Sequence, residues 1–211
     1  MLSFLLQEVR EQLCGGRVEK IYQPAKDEII FVIRREGETF RLLINAGSAC
    51  PRLGITEIKS ENPAKAPMFC MLLRKHFQGA RFSSVEQIGF DRIARLRFEG
   101  TDEMGFMAEK NLIVEIMGKY ANIIVTDGSD KILSLLRQVD FSQNLSRQLF
   151  VGMRYIPPMQ KDRINPMEVD REAFSALAAA CDPQRPAQRF IMTTFAGISP
   201  LVAREIAYRC A

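Results

Sequence analysis

"GFDRIARLRFEG", residues 89–100, alternates after its Asp-Arg pair. Ala94, Leu96 and Phe98 share one parity, while Ile93, Arg95 and Arg97 share the other. A period of two reads as a strand with one face buried and one face wet. Arg92 falls on the apolar parity, where a cation is costly to bury without a partner. Three readings stay open for it: a guard at the strand's entrance, a local pair with Asp91, or a cation for an anionic ligand.

The same strand pattern recurs on both sides. Upstream lie "RVEKIYQ" (17–23), "EIIFVIR" (28–34), "TFRLLIN" (39–45) and "RFSSVEQ" (81–87). Downstream lie "NLIVEIM" (111–117), "ANIIVTD" (121–127) and "KILSLLR" (131–137). The connections at residues 35–38 and at Asp127-Gly128 have hairpin composition. Two helices interrupt the strands. Leu2, Leu5, Leu6, Val9 and Leu13 recur at helical spacing and predict a helix over 3–13, stopped by Gly15-Gly16. Pro67 opens a second helix through "MFCMLLRKHF". Residues 46–66, punctuated by Pro and Gly, read as a long loop.

At Pro157-Pro158 the period changes. Tandem prolines continue neither a helix nor a strand. Beyond them "DREAFSALAAA", with Asp170 as N-cap, "PAQRFIMTTF" and "SPLVAREIAYR", capped by Ser199, are helical. The expected fold class is therefore α+β: a strand-rich, mostly antiparallel body over 1–158 and a small helical region over 159–211.

Bulk composition narrows the function classes. The 211 residues are 47% hydrophobic and 26% charged, an ordinary globular balance. No run of eighteen apolar residues occurs, and Glu8, Arg10 and Glu11 interrupt the apolar start before a signal core forms. The expectation is a soluble cytoplasmic protein. The five cysteines (Cys14, Cys50, Cys70, Cys181, Cys210) are scattered, with no CxxC pair, so neither a disulfide frame nor a zinc site is expected. A single histidine, His76, sits at the end of a predicted helix, which leaves little for triads or metal clusters. No cofactor is expected. The net charge of +4 permits a nucleic-acid partner without requiring one.

Three short constellations remain. Gly118 and Lys119 lie between two apolar runs, as a plain hairpin with a solvated lysine or as a loop that exposes backbone beside the Asp91-Arg92 entrance. Asp91 and Arg92 form either a strand-end ion pair or a phosphate- or base-reading pair. "FAGISPLVAREI" (195–206) has helix-hairpin-helix layout, with Gly197, Ile198, Ser199 and Arg204 as candidate phosphate-binding positions and Arg185 and Arg189 nearby. An ordinary helix connection, with Gly197 as C′ residue, accounts for the same pattern.

Taken together, "GGRVEKIYQP", "APMFCMLLRKHFQGARFSSVEQIGFDRI", "VEIMGKYANIIVTD", "YIPP" and "GISPLVAREIA" resemble the N-terminal part of the NFACT family. Bacterial members are called RqcH or fibronectin-binding protein A-like (FbpA), and the eukaryotic counterpart is NEMF. The resemblance implies ribosome-associated quality control: tRNA (alanyl-tRNA in bacteria) is recruited to an obstructed large ribosomal subunit, which adds an untemplated alanine tail to the nascent chain. Peptide-bond chemistry then belongs to the ribosome, so the protein is expected not to be an enzyme. The family's Asp-Arg pair falls on Asp91 and Arg92, and its Glu-Ile-Met-Gly-basic motif falls on Glu115, Ile116, Met117, Gly118 and Lys119.

The resemblance also implies a body related in fold to the N-terminal domain of formamidopyrimidine-DNA glycosylases. Those enzymes use an N-terminal proline followed by glutamate, and Met1-Leu2-Ser3 offers neither. The family name further suggests fibronectin as a partner, against which stands the lack of a visible export signal in this chain. Family members carry a short segment before the first helix and continue into a coiled coil. The chain is thus expected to be a fragment, one that does not by itself support tailing.

Overall fold

The computed structural model describes residues 2–101, 104–140, 147–158 and 163–210. Helix α1 (Leu2–Leu13) leads into β1 (Arg17–Ala25), β2 (Glu28–Arg35), β3 (Glu38–Asn45) and β4 (Arg52–Ile55). Helix α2 (Met68–Phe77) precedes β5 (Arg81–Gln87), β6 (Ile93–Thr101), β7 (Met107–Glu115), β8 (Asn122–Asp127) and β9 (Ile132–Leu135). Helices α3 (Arg171–Ala179), α4 (Ala187–Thr194) and α5 (Pro200–Arg209) follow. A large antiparallel sheet with five α-helices among the described residues makes this a strand-rich α+β protein.

The nine strands run in the order β4-β3-β2-β1-β5-β6-β7-β8-β9. Neighbours are sequential hairpins except at β1 and β5, which share a single ladder pair, Arg17 with Arg81. Backbone bonds from Gly15, Val18 and Gly79 complete that seam: Gly15 N–H to Phe82 O at 2.8 Å, Val18 N–H to Ala80 O at 2.9 Å, and Gly79 N–H to Val18 O at 2.8 Å. The β2–β3 hairpin turns through Glu36 and Gly37, both at positive φ (51° and 90°), as the twist of a two-residue hairpin loop demands.

Strand β2 lies three places from β6 in the sheet, about 14 Å in a flat one. Yet the Phe31 and Phe98 ring centroids are only 5.7 Å apart, with Phe77 of α2 at 5.9 and 4.8 Å from them. The sheet therefore curls about the β1–β5 seam and turns both halves onto one core. That core takes Leu6, Val9 and Leu13 from α1 and Phe69, Leu73 and Phe77 from α2, together with Ala94, Leu96 and Phe98 of β6. The opposite face of β6–β9 carries a second cluster, in which Ile93, Ile113, Ile124 and Ile132 meet Leu149 and Tyr155.

Two expectations change. Residues 46–66 are not all loop, because β4 pairs with β3 through four residues, Leu42↔Ile55 to Asn45↔Arg52. Its signal was hidden by Pro51 and Gly54, and edge pairing with β3 supplies what propensity lacks. The cost foreseen for Arg92 does not arise either. It precedes the first ladder residue, Ile93, and is exposed, so parity does not bury it.

By contacts the chain divides into two compact units, Met1–Ile88 with Arg92–Pro158, and Gly89–Asp91 with Met159–Ala211. In the second unit Ile191, Phe195 and Ala203 form a small core, with Phe174, Phe190 and Phe195 in mutual ring contact. Asp170 caps α3 by accepting from the Ala173 amide (2.8 Å), and Ser199 caps α5 by accepting from the Val202 amide (3.2 Å).

Candidate nucleic-acid interface

The loop between β7 and β8 begins after Glu115 and ends before Asn122, the last pair of that ladder. Gly118, at φ +57°, lets the chain turn sharply into one turn of 3-10 helix, Gly118–Tyr120. The turn is closed by Tyr120 N–H to Met117 O (3.1 Å) and Ala121 N–H to Gly118 O (3.0 Å). Lys119 and Tyr120 point to solvent, the ammonium 4.9 Å from the ring centroid.

Strand β6 enters beside this loop. The Ile116 amide donates to Arg92 O at 2.8 Å, one step beyond the Ile93↔Glu115 pair. Exposed Arg92 thus stands next to residues 115–119. Asp91, half-exposed, is one residue earlier and groups by contacts with the helical unit. The two arginines of β6 are engaged locally. Arg97 Nη2 donates to Glu86 Oε1 at 2.6 Å, and Arg95 Nη2 lies 3.0 Å from Asp130 Oδ1. The hydrogen bond to Glu86 is the main reason the Arg97 guanidinium holds its proton more firmly than usual, against the opposing effect of burial.

Glu115 differs from the rest of its motif. It is 2% exposed, and both carboxylate oxygens are taken. Arg147 donates from Nη2 to Oε1 (2.5 Å) and from Nη1 to Oε2 (3.2 Å), while the Tyr155 hydroxyl donates to Oε1 (2.9 Å). Arg147 also donates from Nε to Ile156 O (2.6 Å) and lies 5.2 Å from the Tyr155 ring centroid. Burial, reinforced by the Glu115 charge, raises the Tyr155 hydroxyl far above its usual pKa and keeps it a donor. The carboxylate of Glu115 therefore does not present itself to a ligand. Arg147 and Tyr155, 32 and 40 residues away, carry no local signal that would have paired them with Glu115.

At the loop's other end Arg137 donates from Nη1 to Ala121 O (2.5 Å) and Ala46 O (2.8 Å) and from Nη2 to Asp27 Oδ1 (2.5 Å). The buried Asn122 amide brackets the same residue, donating to Arg137 O (2.8 Å) and accepting from Arg137 N–H (3.0 Å). A cleft of about 540 Å³ is lined by Glu115, Lys119, Tyr120, Asn122, Arg137 and Arg147, among others. Exposed cations beside an exposed aromatic ring can neutralise phosphate and stack a base.

In the helical unit, α4 and α5 are joined through Gly197 at φ +71°. A Cβ there would lie 2.6 Å from Phe90 Cε1, so the missing side chain makes room for the Phe90 ring. Ser199, Arg204, Arg185 and Arg189 are exposed, and Ile198 is half-buried. Among the described residues no group of three His, Cys, Asp or Glu could hold a metal ion, and no helix is long and apolar enough to cross a membrane.

The family model for "NFACT N-terminal and middle domains" matches residues 1–211. The chain belongs to the NFACT family. Among NFACT relatives, "Rqc2 homolog RqcH" of Bacillus subtilis is 37% identical over 206 residues, which are 97% of this chain and 36% of that protein. The protein of the same name from Streptococcus pneumoniae (strain D39) is 36% identical over 207 residues, 97% of this chain and 37% of its own length. The chain thus spans a little over a third of these NFACT proteins. "Ribosome quality control complex subunit 2" of Schizosaccharomyces pombe is 29% identical over 73% of the chain and 14% of its own length. Among solved structures, the N-terminal domain of the fibronectin-binding protein PavA from Streptococcus pneumoniae superposes with a TM-score of 0.89 at 34% identity, covering 99% of this chain and 77% of that one. The N-terminal part of the fibronectin/fibrinogen-binding protein from Streptococcus suis does so with a TM-score of 0.89 at 35% identity, covering 98% and 77%.

Proposed function

We propose that this chain is the tRNA-binding N-terminal part of a ribosome-associated quality-control factor. It holds alanyl-tRNA on an obstructed large ribosomal subunit in the cytoplasm, and the subunit adds the untemplated alanine tail. The observation that carries the reading is the bond from the Ile116 amide to Arg92 O. Through it the two segments matching the family's tRNA motifs, far apart in sequence, become neighbours at one end of the sheet. Arg92 and Lys119 supply charge, Tyr120 a stacking face, and Gly118 open space where a side chain would stand. Glu115 enters through the loop it anchors, and Asp91 through its bond in the chain to Arg92.

The finer assignments belong to the same proposal. The body is related to the N-terminal domain of formamidopyrimidine-DNA glycosylases. Residues 195–206 act as a helix-hairpin-helix that meets phosphate through hairpin amides, with Arg204 alongside. The protein is a binding factor and not a catalyst, so borohydride trapping on abasic or oxidised duplex should yield no covalent adduct. Crosslinking followed by sequencing of the RNA held by the full-length protein tests the main reading. Enrichment of tRNA is expected, and ribosomal RNA without tRNA refutes it. The names of the solved neighbours favour fibronectin binding as a second reading. Capture of fibronectin that survives high salt would support it, and loss in salt marks nonspecific charge.

A further inference from the structure

We infer that Arg147 and Arg137 are positioning residues that clamp the two ends of the 116–121 loop, with Tyr155 completing the first clamp. The inference rests on the tRNA reading above for its consequence, though not for its geometry. Both arginines line the cleft beside Lys119 and Tyr120, so charge alone would nominate them as phosphate contacts. Their hydrogen bonds argue otherwise.

The Arg147 side chain is 10% exposed, and its fork is spent on both oxygens of Glu115 and on Ile156 O. A phosphate could take it only by displacing a buried carboxylate, which would then be left unpaired. Arg137, 34% exposed, ties Ala121 O to Ala46 O and to Asp27, so the end of the loop is fixed to the β1–β2 turn. Between these anchors the chain is held by a single 3-10 turn at a positive-φ glycine. Such a turn keeps one geometry only if both ends are fixed. The fork shape of the arginines matters more here than their charge, and lysine supplies the charge without the fork.

The test compares Arg147→Lys, Arg137→Lys and Tyr155→Phe in the full-length protein, each assayed well below its own Tm. tRNA affinity should fall about tenfold for Arg147→Lys, the scale of one charge-assisted hydrogen bond. Arg137→Lys and Tyr155→Phe should move in the same direction. In Arg147→Gln and Arg137→Gln, which remove the charge, the slope of log K against log salt should stay at the wild-type value. By contrast, Lys119→Ala, as a phosphate contact, should flatten it by about one unit. Retained affinity in both lysine variants, or a flattened slope in either glutamine variant, overturns the clamp.

Hydrogen exchange on RNA-free protein gives an independent readout. Amides of residues 117–121 should exchange faster in Arg147→Lys while those of β2 and β3 hold, and unchanged loop exchange overturns the clamp whatever the RNA does. If loop exchange responds as expected but wild-type protein binds no tRNA, the clamp stands and the tRNA reading falls.

Discussion

Glu115→Ala isolates the energetics of the buried network. Removing the carboxylate leaves Arg147, 10% exposed, without its counter-charge and leaves the Tyr155 hydroxyl without its acceptor. Breaking a buried ion pair from one side costs about 3–5 kcal/mol, because the surviving charge stays desolvated. For a domain of this size each kcal/mol moves Tm by about 2–4 °C, so the drop should be about 6–20 °C. The triple variant Glu115→Met/Arg147→Leu/Tyr155→Phe removes the charges and the hydroxyl together. It should melt near wild type or above, since apolar replacement of a buried pair ranges from neutral to about 4 kcal/mol stabilising. Calorimetry and urea titration of the single and triple variants supply the comparison, and tRNA affinity should stay low in the triple variant despite its stability. A loss below about 1 kcal/mol in Glu115→Ala, the range of exposed pairs, would refute the reasoning, because water would then be solvating Arg147 in place of the carboxylate.

Arg92→Ala should weaken tRNA binding by about 1–3 kcal/mol with little change in Tm, whereas Asp91→Ala should reduce discrimination among tRNAs more than bulk affinity. Normal binding with a sharp drop in the melt would recast the pair as structural. Asp127 is pushed upward by burial, but the bonds from the Ser129 hydroxyl and from the Lys131 and Ser129 amides, with the Lys131 charge, leave its pKa depressed overall. Its contribution is therefore present above the unfolded value of about 3.9 and is lost as pH falls through the folded value. The stability gap between wild type and Asp127→Asn should shrink between about pH 5 and pH 2, and a pH-independent gap contradicts the assignment. Gly197→Ala places a Cβ at φ +71° and 2.6 Å from the Phe90 ring. It should destabilise the helical unit by about 1–2 kcal/mol, read as faster amide exchange in α4 and α5, and unchanged exchange would show that the ring yields freely.

Periodicity determined most of the elements because it records which side of each one meets water. Strands β1, β2, β3 and β5 to β9 fall on the alternating or apolar runs, and α3 and α5 begin at the capping residues, Asp170 and Ser199, that their first turns need. Hairpin chemistry was equally local, as at Glu36-Gly37, where two positive φ angles close β2 onto β3. Strand β4 was not legible, because its four residues depend on the exposed edge of β3 for their hydrogen bonds. The curl at the β1–β5 seam was not legible either. It is set by Phe31, Phe82 and Phe98 of three strands clustering with Phe77 of α2, and no single stretch contains that contact.

The candidate site divides in the same way. The motif residues Arg92 and 115–119 were visible as a chain pattern. Only tertiary structure decided that Glu115 faces inward to Arg147 and Tyr155 while Lys119 and Arg92 face out. A carboxylate's role follows from what surrounds it, and its surroundings come from residues 32 and 40 positions away. Local sequence carries the propensity of each element. The pairing of charges buried between elements belongs to the fold.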